Sequence, residues 1–391
     1  MYTLKVIIMK NEYVRRVPFA THYANDAPEY IPVMSFSNNM NEIDVIESIF
    51  RLDMNSDKGV TIIFFRSPPG LGKTTLALSL AKKFKCPYQV INCESSMTGL
   101  DLIGSYTLID QETVWVDGPL PAIVRATNSA GTGVLVINEI NLLNLQAQVA
   151  LNPLMDRQQE VVLTMYNNEV VKVSPGAHLL IIASMNPDII GVNEIQDSVV
   201  DRADLVINMD YPTPEKEASI VSRLCNINES SALEFASIIY ECRQLKTRDH
   251  KISRSPSTRG LIDWIRYAAT LGVETAYELA VVNKYGATDD ERDAMRIVAR
   301  GKGISDIKIK EKVDLAKIFT GVASESINDT RREEDCGKTA RAAARPVTPE
   351  DEKTIIEMRK RGARLSEIAE KVNKTTSAVY RCLKRNGIIT T

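Results

Sequence analysis

Residues 60–75 read Val-Thr-Ile-Ile-Phe-Phe-Arg-Ser-Pro-Pro-Gly-Leu-Gly-Lys-Thr-Thr, and this stretch decides the fold. Val60-Thr61-Ile62-Ile63 is a β-branched run of the kind that forms a buried strand. Leu76 to Phe84 is an apolar helix. The loop between them ends in Gly72-Lys73-Thr74, the strand–loop–helix setting that a P-loop requires. Successive backbone N–H groups and a helix N-terminus make a phosphate cradle there, expected over Pro69, Gly70, Leu71, Gly72, Lys73, Thr74 and Thr75. Lys73 can reach β- and γ-phosphates, and the Thr74 hydroxyl can hold Mg²⁺. One departure is visible: Ser67 stands where the first glycine of G-x-x-x-x-G-K-S/T belongs.

Downstream, Val134 to Ile137 is a fully apolar strand followed by Asn138-Glu139. Four apolar residues and an acidic pair form the Walker B pattern, in which the first acid holds Mg²⁺ through water and the second polarises the attacking water. Glu139 fills the second role. Asn138 is neutral, which weakens metal binding. Leu179 to Ala183 is another buried strand, ending in Ser-Met-Asn-Pro, so Asn186 projects from the same sheet edge as Glu139, where open α/β sheets bind ligands. Val199-Val200-Asp201-Arg202 precedes a last strand, Leu205 to Met209. Strands alternating with helices indicate an α/β fold with a mostly parallel sheet. Tyr106 to Val116 and Val161 to Val173 read as hairpins, the first set between a short helix at Leu100–Ile103 and a longer one from Pro121. The first hairpin is either decoration or a loop that touches a partner or lines a pore.

The flanks are less regular. Residues 2–9 suggest a short strand, residues 10–40 an irregular lead-in, and Ile43 to Leu52 an amphipathic helix. After Thr213-Pro214, a helix start, residues to 325 are helix-rich, including Ala232–Leu245, Leu261–Leu271, Ala276–Val282 and Glu291–Val298. Residues 329–346 are charged and alanine-rich and form part of a linker. The division expected is a lead-in over 1–31, an α/β core over 32–212, a helical lid over 213–325, a linker over 326–347 and a small all-α module over 348–391.

Composition narrows the function classes. Forty-eight basic against 50 acidic residues leave a net charge of −2, so overall charge argues for neither nucleic acid nor membrane. The six cysteines form no C-x-x-C pair, which suits reduced, buried thiols in the cytoplasm. No apolar run is long enough to span a bilayer, and the N-terminus lacks a signal peptide's apolar core.

The ordered set SPPGLGKTT, VLVINEIN, the 161–173 hairpin, ASMNP, VDRADLVINMDYPTPEKEA and SPSTRG resembles AAA+ ATPases of the MoxR type, in particular the CbbQ, NirQ and CobS-like branch. The resemblance implies an ATPase that uses ATP and Mg²⁺ and assembles into a ring, commonly a hexamer. Such proteins remodel protein partners or help insert metals, often beside a separate von Willebrand A domain protein. It also implies roles: Lys73 and Thr74 as Walker A, Asn138 and Glu139 as Walker B, Asn186 as sensor 1, Arg202 as a finger offered to a neighbouring subunit, and Arg259 as sensor 2. Where the family usually has an aromatic after the finger arginine, this chain has Ala203.

The C-terminal stretch 348–391 carries ten basic and six acidic residues, a local charge of +4 in an otherwise near-neutral chain. Its short apolar-faced helices resemble a helix-turn-helix. On that reading Thr376, Ser377, Tyr380, Arg381 and Lys384 lie near duplex DNA. Two functions remain open at this level: a remodelling ATPase tethered to DNA, or a nucleotide-gated DNA-binding regulator with little hydrolysis.

Overall fold

A computed structural model describes residues 16–17, 21–25, 27, 29–36, 39–56, 58–109, 111–186, 195–307, 354–358 and 371–372. The chain divides into two units, Met1–Ala323 and Ser324–Thr391.

Among the described residues of the first unit, eleven strands run in chain order: β1 (Arg16–Val17), β2 (His22–Tyr23), β3 (Val60–Arg66), β4 (Pro87–Asn92), β5 (Gly104–Ile109), β6 (Glu112–Asp117), β7 (Thr132–Asn138), β8 (Glu160–Leu163), β9 (Glu169–Lys172), β10 (His178–Met185) and β11 (Leu205–Asn208). The central sheet has the order β11-β3-β10-β7-β4-β2. Its members are parallel except β2, which lies antiparallel on β4 at the edge. Interior strands of such a sheet are covered on both faces and read as continuous apolar runs. Accordingly, all eight residues of β10 and the first six of β3 are buried.

Helices α1 (Glu42–Asn55), α2 (Lys73–Phe84), α3 (Gly99–Ile103), α4 (Pro119–Ala130), α5 (Leu145–Met155) and α6 (Asp197–Val200) flank this sheet. One face packs Ile46, Phe50, Leu76 and Leu80 of α1 and α2 against Ile63, Phe65, Val134 and Ile182. The other packs Leu120, Ile123 and Val124 of α4 and Leu151 and Leu154 of α5 against Phe64, Leu135 and Ile181. Then follow α7 (Pro214–Cys225), α8 (Glu229–Thr247), α9 (Thr258–Leu271), α10 (Val273–Tyr277), α11 (Asn283–Tyr285) and α12 (Asp289–Gly301), which enclose their own core around Phe235, Ile239 and Trp264. Phe235 and Trp264 meet edge to face at 4.6 Å, a favoured aromatic geometry. The helix expected over Ala276–Val282 is α10 continued by a wider π turn at Glu278–Val282.

The lead-in departs from expectation. Within residues 10–40, β1 pairs with β6 and β2 with β4. Two-residue strands carry no periodicity of their own; the edge they join defines them. The strand expected over 2–9 lies outside the described residues.

Both expected hairpins are present, as β5–β6 and β8–β9. They are tied together. Trp115 of β6 meets Tyr106 edge to face at 5.2 Å and Tyr166, in the loop after β8, also at 5.2 Å. Arg125 of α4 reaches Asp117 of β6 and Glu169 of β9, the latter at 2.7 Å. Leu108 and Met165, near the two tips, are 71% and 50% exposed.

In the second unit, residues 354–358 are helical and Ile355 is buried. Lys371 and Val372 are also described; the other residues of the expected helix-turn-helix, including Thr376, Ser377, Tyr380, Arg381 and Lys384, lie outside the described residues.

Candidate nucleotide site

The loop between β3 and α2 is built for a compact anion. Gly70 and Gly72 have φ of +83° and +75°, a region that side chains resist. Space forbids side chains too. A Cβ on Gly70 would lie 2.9 Å from Cβ of Ser257, and one on Gly72 3.3 Å from the Tyr30 ring. Gly72 also caps α2 without any side-chain hydrogen bond, so the first N–H groups of the helix are not taken by the cap. Tyr211 Oη donates to the Pro69 carbonyl at 3.2 Å and holds the loop from the lid side.

Lys73 opens α2. Its Nζ donates to Ser67 Oγ at 2.7 Å and to the Pro68 carbonyl at 3.1 Å. Ser67 is buried and therefore substitutes for the missing glycine with a hydroxyl that receives the lysine. Burial pushes Lys73 down to about 8; the Glu139 carboxylate pulls it back up, and the Arg259 guanidinium adds to the lowering. The three groups thus share one electrostatic neighbourhood. Phosphates entering the loop would favour the charged amine. Nucleotide binding then takes up a proton above pH 8, so affinity for a non-hydrolysed ATP analogue should fall by up to tenfold per pH unit there and stay flat near pH 7 with respect to this group. Titrations from pH 7 to 9.5 measure this, and Lys73→Arg, always charged, should remove the slope. A flat wild-type profile would contradict it.

Asn138 ends β7. Thr74 Oγ1 donates to Asn138 Oδ1 at 3.1 Å, and Asn138 Nδ2 donates to Asn92 Oδ1 at 2.8 Å. A hydroxyl and an amide oxygen facing each other are hard donors, the kind Mg²⁺ accepts while keeping several waters and substrate phosphates. The site therefore fits the ion expected from the motif. Thr74 and Asn138 would hold it.

Glu139 follows at φ +56°, ψ +45°, with its N–H 3.3 Å from Ser184 Oγ. A non-glycine residue in this region stores strain and marks sites where side-chain aim matters. The Glu139 side chain is exposed at the sheet edge. Beside it, Asn186 follows β10 and is 8% exposed. Its carbonyl accepts from Nδ2 of buried Asn141 at 3.0 Å. The register of β7 and β10 brings Glu139 and Asn186 to one edge, as their positions in sequence suggest.

The arginines differ in setting. Arg259, the second residue of α9, is exposed, and its backbone nitrogen lies 3.7 Å from where a Gly70 Cβ would stand. Ser257 caps α9 through Gly260 N–H and bonds Tyr285 Oη at 2.8 Å. Beneath it, the Arg243 guanidinium makes two 2.7 Å bonds to Glu217, a third at 2.8 Å to the Pro256 carbonyl, and stacks 3.9 Å over the Tyr211 ring. Thr258 Oγ1 donates to the same Glu217 at 2.6 Å. Arg202 sits elsewhere, pairing with Asp156 at 2.9 Å and with the Ser198 carbonyl.

Sequence reasoning missed Asn92, Ser184, Tyr211 and Ser257. Asn92 and Tyr211 each end or follow a strand at the ligand edge, and that position was the available signal. Ser184 and Ser257 gave none, because only packing brings them to the site.

Residues 63–203 match the AAA domain of the dynein-related subfamily. The NorQ protein of Paracoccus denitrificans is 26% identical over 272 residues, covering 68% of this chain and 90% of that protein. The chain carries a match to an AAA domain and resembles AAA+ ATPases of the MoxR type. An uncharacterized protein of Staphylococcus epidermidis is likewise 26% identical over 258 residues, 64% of this chain and 91% of that one. Among solved structures, the Thermotoga maritima RuvB Holliday junction branch migration motor aligns with 93% of this chain and 92% of its own at 15% identity, with a TM-score of 0.37. The AAA match begins inside β3 and ends just after Arg202. It therefore contains the Gly70–Gly72 loop, strand β7 and Asn186, and leaves out helices α7–α12 with Arg259.

No helix among the described residues is long and apolar enough to cross a membrane. Cys86, Cys93, Cys225 and Cys242 are free and buried. Burial pushes the first three thiols to about 12 and Cys242 to about 11, so they remain protonated and unreactive.

Proposed function

We propose that the protein hydrolyses ATP with Mg²⁺ and uses the cycle to remodel a protein partner as a ring, commonly a hexamer in this family. The observation that carries this reading is the convergence of Lys73, Glu139 and Arg259 on the Gly70–Gly72 loop. Lys73 and the α2 N-terminus bind the phosphates. Glu139, a carboxylate at a strained backbone position, takes a proton from the attacking water, and Asn186 orients that water. Mg²⁺ held by Thr74 and Asn138 would supply charge neutralisation for the phosphates. Arg259 moves with the lid onto the same phosphates. Arg202 completes the site of a neighbouring subunit, and its present partner Asp156 is exposed enough to release it.

Steady-state ATPase assays and sedimentation test this together. Turnover should require Mg²⁺ and rise with protein concentration as rings form, and Arg202→Ala should lower it. A monomer at every concentration with full activity would sink the finger and the ring. A second reading, a nucleotide-gated DNA-binding regulator, draws on one observation: Asn138 offers the metal an uncharged ligand. Absence of turnover with retained nucleotide binding would favour it.

The cytoplasm suits either reading, and a separate von Willebrand A domain protein is the partner the family suggests. The 348–391 module is proposed to bind duplex DNA, with Thr376, Ser377, Tyr380, Arg381 and Lys384 at the contact. Truncation at Pro346 should abolish DNA binding and leave ATPase activity largely intact. Affinity of the full chain should fall steeply with salt, with a slope near −0.9 per phosphate contact. Unchanged gel shifts after truncation would refute this.

A further inference from the structure

The Asn at position 138 creates a problem that a carboxylate would not have. Aspartate presents equivalent oxygens whichever way it turns. An amide presents one oxygen and one NH₂, and only one of its two orientations offers the oxygen. The structure has Asn138 Oδ1 toward the Thr74 hydroxyl and Nδ2 toward Asn92. Turned over, Nδ2 would donate into a lone pair of Thr74 Oγ1 and set the positive end of the amide dipole where a cation belongs.

We infer that Asn92 is a positioning residue that keeps the Asn138 amide oxygen facing Thr74. The two asparagines are register partners at the C-terminal ends of β4 and β7. Directly beyond them, the Cys93 N–H donates to the Asn138 carbonyl at 3.0 Å, which fixes the backbone spacing the side-chain bond needs. In the orientation observed, Asn92 presents Oδ1, which takes the NH₂ end of Asn138 and leaves its oxygen for the metal side. In this way β4 supplies orientation that charge supplies where the first acid is present. The inference rests on the reading that Thr74 and Asn138 flank Mg²⁺.

Its test is a binding measurement. The affinity of a fluorescent β,γ-imido ATP analogue is titrated with and without Mg²⁺ on the full chain. In wild type Mg²⁺ strengthens binding. Asn92→Ala should cut that enhancement about three- to tenfold, the span of one hydrogen bond, with Mg²⁺-free affinity unchanged. Asn92→Asp, which still accepts from Nδ2, should keep it. In an Asn138→Asp background, where no amide needs orienting, Asn92→Ala should change the enhancement less than twofold. An equal loss in both backgrounds, or no loss in either, overturns the inference while leaving the metal reading intact. If Mg²⁺ does not affect wild-type binding, the metal reading itself fails and takes the inference with it.

Discussion

Glu139→Gln should lower single-turnover hydrolysis by about 10²–10⁴-fold, the usual loss when a positioned base is removed, while the protein still retains nucleotide. Several features make the comparison clean. Glutamine has the same shape and tolerates φ +56° no worse than glutamate, so the strained link between β7 and the turn after it persists. Asn138, Thr74 and the P-loop glycines are untouched. Removing the negative charge also leaves Lys73 without the carboxylate that raises it. Affinity for the analogue should therefore hold at pH 7 and weaken sooner than in wild type as pH climbs past 8. Quench-flow measurement of phosphate release and a filter assay of bound nucleotide give the two numbers. Turnover equal to wild type would remove Glu139 from the mechanism.

The second large effect is in the lid. Arg243→Ala should destabilise the protein by about 3–5 kcal/mol, the cost of breaking a buried pair and leaving one charge behind. Glu217 would keep the Thr258 hydroxyl and lose both guanidinium bonds, at a position that is fully buried. The Pro256 carbonyl would lose its donor and Tyr211 its stacked partner. Because Tyr211 holds Pro69 and Ser257 lies against Gly70, nucleotide affinity should fall as well. Replacing both partners, Arg243→Met with Glu217→Leu, should recover most of the stability, since no unpaired charge remains. Urea titrations of the wild type and the two variants decide the matter. A single Arg243→Ala variant as stable as wild type would show that the pair contributes nothing to the lid.

Much of this was legible in the chain. The parallel sheet followed from strands alternating with helices, and each buried strand from an apolar run such as Val134–Ile137. The strand–loop–helix at Gly72-Lys73-Thr74 and the apolar strand before Asn138-Glu139 were legible because their signals are short-range and their residue types few. Glu139 and Asn186 could be set at one edge from strand order alone. The contacts with the lid were not legible. Ser257 reaches Gly70, and Arg243 reaches Tyr211, across separations no local pattern records. The length of β1 and β2 hid them, since two residues show no alternation. Ser67 illustrates the opposite failure. It looked like a defect in the motif, yet its buried hydroxyl bonds the Lys73 ammonium.

The packed rings of Tyr106, Trp115 and Tyr166, with Arg125 reaching both Asp117 and Glu169, make the two hairpins one unit rather than two separate fingers. Arg125 belongs to α4, and α4 lies on β7, the strand that delivers Asn138 and Glu139. The two hairpins thus share, through Arg125 and α4, a connection to the strand that ends in Asn138.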